Sequence, residues 1–246
     1  MAGRIIATGP GQAVQNSPKS QVYVAAATGE KFVVAISGDG SLVAWGKELP
    51  GESAVPAGRQ YTALAVGASH VLALTSDGTI VAWGDNSTGA CNVPTDRKYV
   101  AIAAGKKHSL ALAADGSIVA WGDNKAGQCK APEGTGFVAI AAGGDFSLAL
   151  KADGSIAAWG DNGAKQCNAP KDKGFAAITA GTRHGVALKG DGSLAAWGDD
   201  SEGQASVPEG KDYVALAAGT AHSLALKADG SITAWGDEKC QRLAVP

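Results

Sequence analysis

The sequence predicts an all-β protein, a β-propeller built from short repeats, and three observations support this fold class. Tryptophan recurs every 38 residues, and such a fixed period indicates a repeat architecture. An Asp-Gly turn joins two short apolar runs in each period, which is a strong hairpin signal. No segment of ten or more residues shows a capped helical pattern. The six tryptophans are Trp45, Trp83, Trp121, Trp159, Trp197 and Trp235.

Six full repeats follow one another without an insertion and form one domain. Units 1 to 6 are residues 19–56, 57–94, 95–132, 133–170, 171–208 and 209–246. Each ends on a proline eleven residues after its tryptophan.

Residues 1–18 make about half a unit and align with the repeat in two ways. Without gaps, Ala7 takes the tryptophan position and Pro18 the proline position, so the segment is an extra strand closing a six-bladed ring. Alternatively, Gly9 and Gln12 match the glycine and histidine positions, so the segment begins a partial seventh blade. We favour the seven-bladed ring, although both alignments stay open.

Each unit is expected to contain three short antiparallel strands and a tail that adds a fourth strand or stays a loop. In unit 3 the strands are "YVAIAA", "HSLALAA" and "SIVAWG". The Asp-Gly turn between the last two predicts positive φ at both residues. A ring is favoured over an open solenoid because the last unit is as apolar as the middle ones, whereas solenoids end in polar caps.

Three repeated aromatic positions are assigned to packing. Tryptophan fills the wedge between neighbouring blades, with its ring N–H bonded to a carbonyl. A Tyr/Phe position is interpreted in the same way. A third position holds His in some units and Phe in others, which indicates a requirement for a packed ring rather than for an acid–base group. Its occupants are Phe32, His70, His108, Phe146, His184 and His222.

No catalytic or metal-binding constellation is present, so we expect neither an enzyme nor a cofactor. The repeated Asp-Asn after Trp-Gly is explained by an Asx turn, because a calcium loop needs more oxygen ligands. Cys91, Cys129 and Cys167 occupy equivalent positions in consecutive units, too far apart for a disulfide, and are expected to be reduced thiols.

Composition excludes several partners. Lys and Arg number 21 against 23 Asp and Glu, for a net charge of −2, which argues against nucleic-acid binding. No run of 18 apolar residues predicts a membrane span, and the first residues lack the apolar stretch of a signal peptide. We therefore expect a cytoplasmic monomer.

The repeat resembles that of the chromosome-condensation-regulator family. The matching motifs are Gly-x-x-His-Ser-Leu-Ala-Leu, then Asp-Gly-Ser-Ile/Leu-x-Ala-Trp-Gly-Asp-Asn, then Gly-Gln, and the likeness extends over all six units. The short form is most similar to a bacterial branch that includes a secreted β-lactamase inhibitor. This resemblance implies a propeller that binds partner proteins through loops at one rim. Because no unit carries an insertion, the nucleotide exchange of eukaryotic members is not expected.

The function predicted from these observations is a non-catalytic module that binds a partner protein. The residues that determine which partner is bound should lie where the units differ. These places are the residue pairs between the glycine and histidine positions and the stretch after Trp-Gly. Candidate partner-binding residues in these pairs are Glu30, Lys31, Ser69, Lys106, Lys107, Asp145 and Arg183. Alternatives are an inhibitor of a β-lactamase or related penicillin-binding enzyme, and a propeller that binds a small molecule or glycan.

Overall fold

The computed structural model describes residues 22–29, 32–46 and 58–237, and these form six three-stranded antiparallel sheets, one from each unit. In every sheet the strands are paired in chain order. The expected all-β fold of repeated blades is therefore confirmed.

Each unit contributes a first, a second and a third strand. The first strands are β1 (Tyr23–Thr28), β4 (Tyr61–Val66), β7 (Tyr99–Ala104), β10 (Phe137–Ala142), β13 (Phe175–Ala180) and β16 (Tyr213–Ala218). The second strands are β2 (Phe32–Ser37), β5 (His70–Thr75), β8 (His108–Ala113), β11 (Phe146–Lys151), β14 (His184–Lys189) and β17 (His222–Lys227). The third strands are β3 (Leu42–Gly46), β6 (Ile80–Gly84), β9 (Ile118–Gly122), β12 (Ile156–Gly160), β15 (Leu194–Gly198) and β18 (Ile232–Gly236).

The first strands stand side by side around a central axis. β1 packs against β4, β4 against β7, and the series continues through β10 and β13 to β16. Within the described part of the chain, β16 and β1 do not pack against each other in this way. Leu226 on β17 is accordingly 36% exposed, whereas its equivalent in unit 5, Leu188, is 7% exposed. The choice between six and seven blades, and the role of 1–18, fall on residues outside the description and stay predictions.

The core lies between blades rather than within any one of them. Leu72 and Leu74 of unit 2 pack with Tyr99, Ala111 and Trp121 of unit 3, and the same arrangement recurs around the ring. The second strands of units 1 to 5 are almost wholly buried because both their faces meet a neighbouring blade. A single blade could not bury these faces alone, so the units stabilise one another.

The hairpin turns differ from expectation in one respect. In unit 3 the amide of Gly116 donates to the carbonyl of Ala113 at 3.0 Å, and only Gly116 has positive φ, at +79°. Asp115 keeps negative φ, so the prediction of two positive-φ residues was wrong. The Asp115 carboxylate instead accepts from the amide of Ser117 at 2.9 Å, closing a local turn before the left-handed glycine.

The tail after each third strand is a series of turns in units 2 to 5, and no fourth strand is present within the described residues. In unit 2, Asp85 Oδ1 accepts from the amide of Ser87 at 2.9 Å, which is the expected Asx turn. Asn86 Oδ1 accepts from the amide of Cys91 at 2.8 Å. These side-chain bonds satisfy the backbone that a fourth strand would have paired, and they explain the repeated Asp-Asn.

Candidate functional site

In units 2 to 6, two variable regions meet at one rim of the ring. The loop between the first and second strands lies beside the tail, because the amide at the start of the tail donates to a loop carbonyl. Asp123 donates to Lys107 O at 2.9 Å, Asp161 to Asp145 O at 2.8 Å and Asp199 to Arg183 O at 2.9 Å. We call this edge the loop rim, formed by residues 67–69, 105–107, 143–145, 181–183 and 219–221 with the adjoining tails.

The loops of units 3, 4 and 5 are also bonded directly to one another. The amide of Lys106 donates to Gly144 O at 3.0 Å, and the amide of Gly144 donates to Thr182 O at 3.0 Å. Lys106, Lys107 and Arg183 are exposed, and Asp145 is half-buried. The predicted residues of these three units are thus brought side by side on the loop rim.

Of the three remaining predicted residues, Ser69 is described by the structure, whereas Glu30 and Lys31 are not. Ser69 lies on the loop rim in unit 2 and is half-buried, with its carbonyl accepting from the amide of Asp85 at 2.8 Å. Glu30 and Lys31 lie outside the described residues. That any of these side chains binds a partner stays a prediction.

Beneath the loop rim, tryptophan joins neighbouring blades in units 2 to 6, whereas Trp45 Nε1 of unit 1 is buried with no hydrogen-bond partner among the described residues. Trp121 Nε1 donates to the carbonyl of Ala90 in unit 2 at 2.8 Å, and Trp159 Nε1 donates to that of Gln128 in unit 3 at 2.8 Å. The bond therefore ties the tail of one unit under the next blade. Trp197 and Trp235 repeat it with Gln166 O and Gln204 O.

Histidine forms a second link across the same boundary. His108 Nε2 lies 2.9 Å from Ser147 Oγ of unit 4, and Ser147 Oγ donates to Gln128 O at 3.0 Å. Because the hydroxyl proton is used for the carbonyl, His108 Nε2 carries the proton and donates to the serine. The links His70–Ser109 and His184–Ser223 have the same geometry.

The rings of these three histidines are fully buried in the described structure. Burial lowers the pKa of His70, His108 and His184 to about 4, against the weaker opposing effect of nearby aspartates. Nδ1 of His108 and of His184 is buried with no hydrogen-bond partner. Neutral, fully buried rings are structural, as expected from the exchange with Phe.

Glycine–ring contacts recur in all six units, and in four of them the glycine also lies against a carbonyl of the next unit, which explains the glycine position. At Gly105 a Cβ would overlap the imidazole of His108, and at Gly143 it would overlap the ring of Phe146. The same Cβ atoms would lie 2.6 Å from Gly143 O and 2.7 Å from Gly181 O in the following units. Gly67 and Gly181 are covered in the same manner. Glycine is required here for close approach, not for its backbone angles.

A central cavity of about 600 Å³ opens within the loop rim. All six units contribute to its wall through the last residue of the first strand and the glycine that follows. The sequence suggested a small-molecule site only as an alternative, and of the wall residues it singled out only Lys106, as a candidate for partner binding. The unbroken series of glycines three residues before each histidine or phenylalanine is visible in the sequence, but only the ring places these glycines around a cavity. Polar residues on the wall are Thr28, Lys106, Thr182, Thr220 and His222.

The described residues contain neither a cluster of metal-ligating side chains nor a pair of bonded cysteines. No group of three or more His, Cys, Asp or Glu side chains is placed to hold a metal ion there. Cys91, Cys129 and Cys167 are free thiols, as expected. Burial raises the pKa of Cys129 and Cys167 to about 11, with nearby Asp123 and Asp161 adding to the effect. In the same part of the chain, no helix has the length and apolar character to cross a membrane.

The ring of blades with its loop rim defines a repeat β-propeller, a fold used for protein interaction and regulation. The model of the regulator of chromosome condensation (RCC1) repeat matches residues 61–90, 99–128, 137–166, 175–204 and 213–242. This chain therefore belongs to the RCC1 repeat family. No curated protein matches it in sequence.

Solved structures of the same fold come from several organisms. The ectodomain of the receptor kinase CR4 from Physcomitrella patens is 28% identical with a TM-score of 0.78, over 92% of this chain and 64% of that one. The CRINKLY WD40 ectodomain of ACR4 from Arabidopsis thaliana is 22% identical with a TM-score of 0.76, over 92% and 85%. Prp20p from Saccharomyces cerevisiae is 24% identical with a TM-score of 0.65, over 84% and 63%.

Two of these comparisons concern longer proteins. This chain spans less than two thirds of the length of the CR4 ectodomain and of Prp20p. The Prp20p structure is described with its binding to Gsp1p and histones, and a further structure shows Prp20 with Kap60. Those partners are properties of Prp20p.

Proposed function

We propose that this chain is a non-catalytic propeller that binds a partner protein through its loop rim. The observation that carries the proposal is the arc made by the bonded loops of units 3, 4 and 5. Lys106, Lys107 and Arg183 are exposed there, with Asp145 between them, although the bond from the tail amide to the loop carbonyl is the same in units 2 to 6. Constant joints with variable, exposed charges are what partner recognition by a repeat scaffold requires.

Charge sets the kind of partner that fits this arc. Hydrogen bonds from Ser87 chiefly lower the pKa of Asp85, with a smaller effect of nearby Lys107. The amide of Ser201 chiefly lowers the pKa of Asp199, with a smaller effect of Arg183, so each of these two cations has a tail carboxylate nearby. Lys106 forms no ion pair with any described residue. The arc therefore favours a partner surface with acidic groups opposite Lys106 and mixed charges around them.

The relatives support an interaction role without naming the partner. Prp20p binds proteins, as its structures with their described partners state. The unit-length repeats of this chain lack insertions, so any contact must come from the short loops themselves. A non-catalytic role is consistent with the neutral buried histidines and the thiols of raised pKa.

The test is capture of binding proteins on three immobilised forms of the chain. The rim variant carries Lys106→Glu, Lys107→Glu and Arg183→Glu. The control carries the same charge change at the opposite edge, Lys98→Glu, Lys173→Glu and Lys211→Glu, where each lysine faces a turn aspartate. Circular dichroism and thermal melting establish that all three forms are folded.

A protein held by the natural chain and by the control, and lost from the rim variant, supports the proposal. Its binding is then measured with purified components, and a loss of at least about 1.4 kcal/mol, a tenfold weakening, is expected for the rim variant. Retention by the rim variant and loss from the control would move the site to the opposite edge. Equal retention by both variants, or no specific binding by the natural chain, would refute the proposal.

A further inference from the structure

We propose that the central cavity within the loop rim binds a carboxylate group carried on a short apolar body. The cavity volume of about 600 Å³ lies within the range of ligand pockets in proteins. The inference rests on the cavity wall alone, so it does not require that the exposed loop-rim charges bind a partner.

The deeper wall of the cavity is apolar and made of small side chains. The last residue of each first strand contributes one side chain, and most of these are alanine or valine. They are Thr28, Val66, Ala104, Ala142, Ala180 and Ala218. A short aliphatic chain would replace water against this surface, which favours an apolar body for the ligand.

The glycine carbonyls of the wall are directed along the ring rather than left for a ligand. A Cβ placed on Gly67 would lie 2.5 Å from Gly105 O, and one on Gly105 would lie 2.6 Å from Gly143 O. Each of these carbonyl oxygens therefore lies close to the α-carbon of the glycine one unit back. This close contact with an α-carbon partly occupies the oxygen as an acceptor.

Donors are left free on the same wall, as are the loop carbonyls of Ala68, Lys106 and Thr220, which accept from no described group. The loop amides of Lys106 and Gly144 donate to the following unit, but the equivalent amides of Ala68, Thr182 and Thr220 donate to no described group. The hydroxyls of Thr182 and Thr220 also make no hydrogen bond within the described residues. A ligand rich in acceptor oxygens would satisfy these groups.

The charge of the residues that line the cavity also favours a ligand with acceptor oxygens. Lys106 is the one fully charged side chain among the described wall residues, and no described carboxylate joins it. Lys107 follows it directly but does not line the cavity. Glu30 occupies the corresponding position in unit 1 and lies outside the described residues. Lys106 belongs to this wall and its side chain is exposed, so its positive charge favours an anion. A carboxylate matches both that charge and the free N–H and O–H groups.

The test is titration of the ¹⁵N-labelled chain with hexanoate, a carboxylate on a short aliphatic body. Shifts of the amide signals of Gly67, Gly105, Gly143, Gly181 and Gly219 report occupancy of the cavity. Lys106→Gln should weaken hexanoate about tenfold or more, the amount expected for one hydrogen bond to a charged group. Lys107→Gln is the matched control and should change the affinity less than about twofold, since its side chain is outside the wall.

Two further ligands separate charge from apolar burial. 1-Hexanol and hexylammonium have the same body without the carboxylate, and both should bind at least about tenfold more weakly than hexanoate. Equal binding of hexanol and hexanoate, an unchanged affinity in Lys106→Gln, or no shift of the glycine amides would each overturn the proposal.

The carboxylate has two natural sources, a free small acid or an acidic side chain of a bound protein. Hexanoate added to a captured complex distinguishes them. Release of the partner by hexanoate, but not by hexanol, assigns the cavity to the partner's carboxylate. Lys106-dependent hexanoate binding without release of a partner assigns the cavity to a free acid. Failure to capture any partner leaves the titration result intact, so the two proposals can fail separately.

Discussion

His108 Nε2 lies 2.9 Å from Ser147 Oγ, across the boundary between units 3 and 4. The spacing of 39 residues is shared by His70 with Ser109 and by His184 with Ser223. Where the ring is phenylalanine, the residue 39 positions later has no hydroxyl, since Phe32 is followed by Val71 and Phe146 by Gly185. The two positions therefore form one joint across the blade boundary, with a polar version and an apolar version.

Replacing both residues of the polar joint should destabilise the fold less than the sum of the two single substitutions, His108→Phe and Ser147→Val. Ser147→Val leaves His108 Nε2–H buried without an acceptor, at a cost of about 1–3 kcal/mol. His108→Phe puts an apolar ring against the Ser147 hydroxyl and should also destabilise the fold. The double variant reproduces the Phe32–Val71 combination, so the two costs should not add, with a coupling of about 1 kcal/mol or more. Urea unfolding of the four proteins measures the coupling, and strictly additive costs would contradict it.

Stability should fall as the pH is lowered from about 6.5 to about 4. The pKa of buried His70, His108 and His184 is lowered to about 4 in the folded chain, against 6.5 when unfolded. Between these values the unfolded chain binds more protons, so acid favours unfolding by up to about 1.4 kcal/mol per pH unit for each histidine. Above pH 6.5 this contribution is fully present and constant.

His108→Phe supplies the control for this pH dependence. From pH 4 to 6.5, the unfolding free energy of the variant should rise less steeply with pH than that of the natural chain. The difference in slope should equal the contribution of one histidine. Identical slopes would show that His108 does not carry the effect. Carboxylates with lowered pKa, such as Asp39 at about 2, act only at still lower pH.

Gly143→Ala should destabilise the chain strongly. The new methyl would overlap the ring of Phe146 and approach Gly181 O within 2.7 Å, and both neighbours are held in the packed joint. Such overpacking typically costs about 1–3 kcal/mol, and occasionally more. Gly163→Ala is the matched control, because a Cβ there meets only Asp161 Oδ1 at 3.4 Å. A thermal melt should separate the two variants by several degrees, and equal melting temperatures would be inconsistent with this packing.

Cys129 and Cys167 should be nearly inert toward iodoacetamide in the folded chain. Their pKa is raised to about 11 from 9.0, which lowers the reactive thiolate fraction about a hundredfold near pH 8. Peptide-resolved mass spectrometry follows each cysteine in buffer and in urea. A rate at Cys129 or Cys167 that does not increase on unfolding would contradict the burial of these thiols.

The predicted loop-rim residues show where sequence reasoning was sufficient. The period of the repeat placed Lys107, Asp145 and Arg183 at equivalent positions of consecutive units, with Lys106 directly before Lys107, and a ring brings equivalent positions side by side. The structure locates them there, joined through backbone bonds between units 3, 4 and 5. The turn at Asp115 was less predictable, because an Asp-Gly pair is compatible with more than one turn type and the number of loop residues decides between them.

The sequence by itself determined the repeat, its strands, the all-β class and the role of the aromatic positions. It could do so because the period, the turn residues and the apolar alternation are local patterns that recur in every unit of the sequence. Only the tertiary structure decided which residues meet across blades, such as Trp121 with Ala90 O and His108 with Ser147. It also revealed a cavity whose wall combines Lys106, Thr182 and His222 from three separate units. These relationships depend on how one blade packs against the next, and no single unit contains that information.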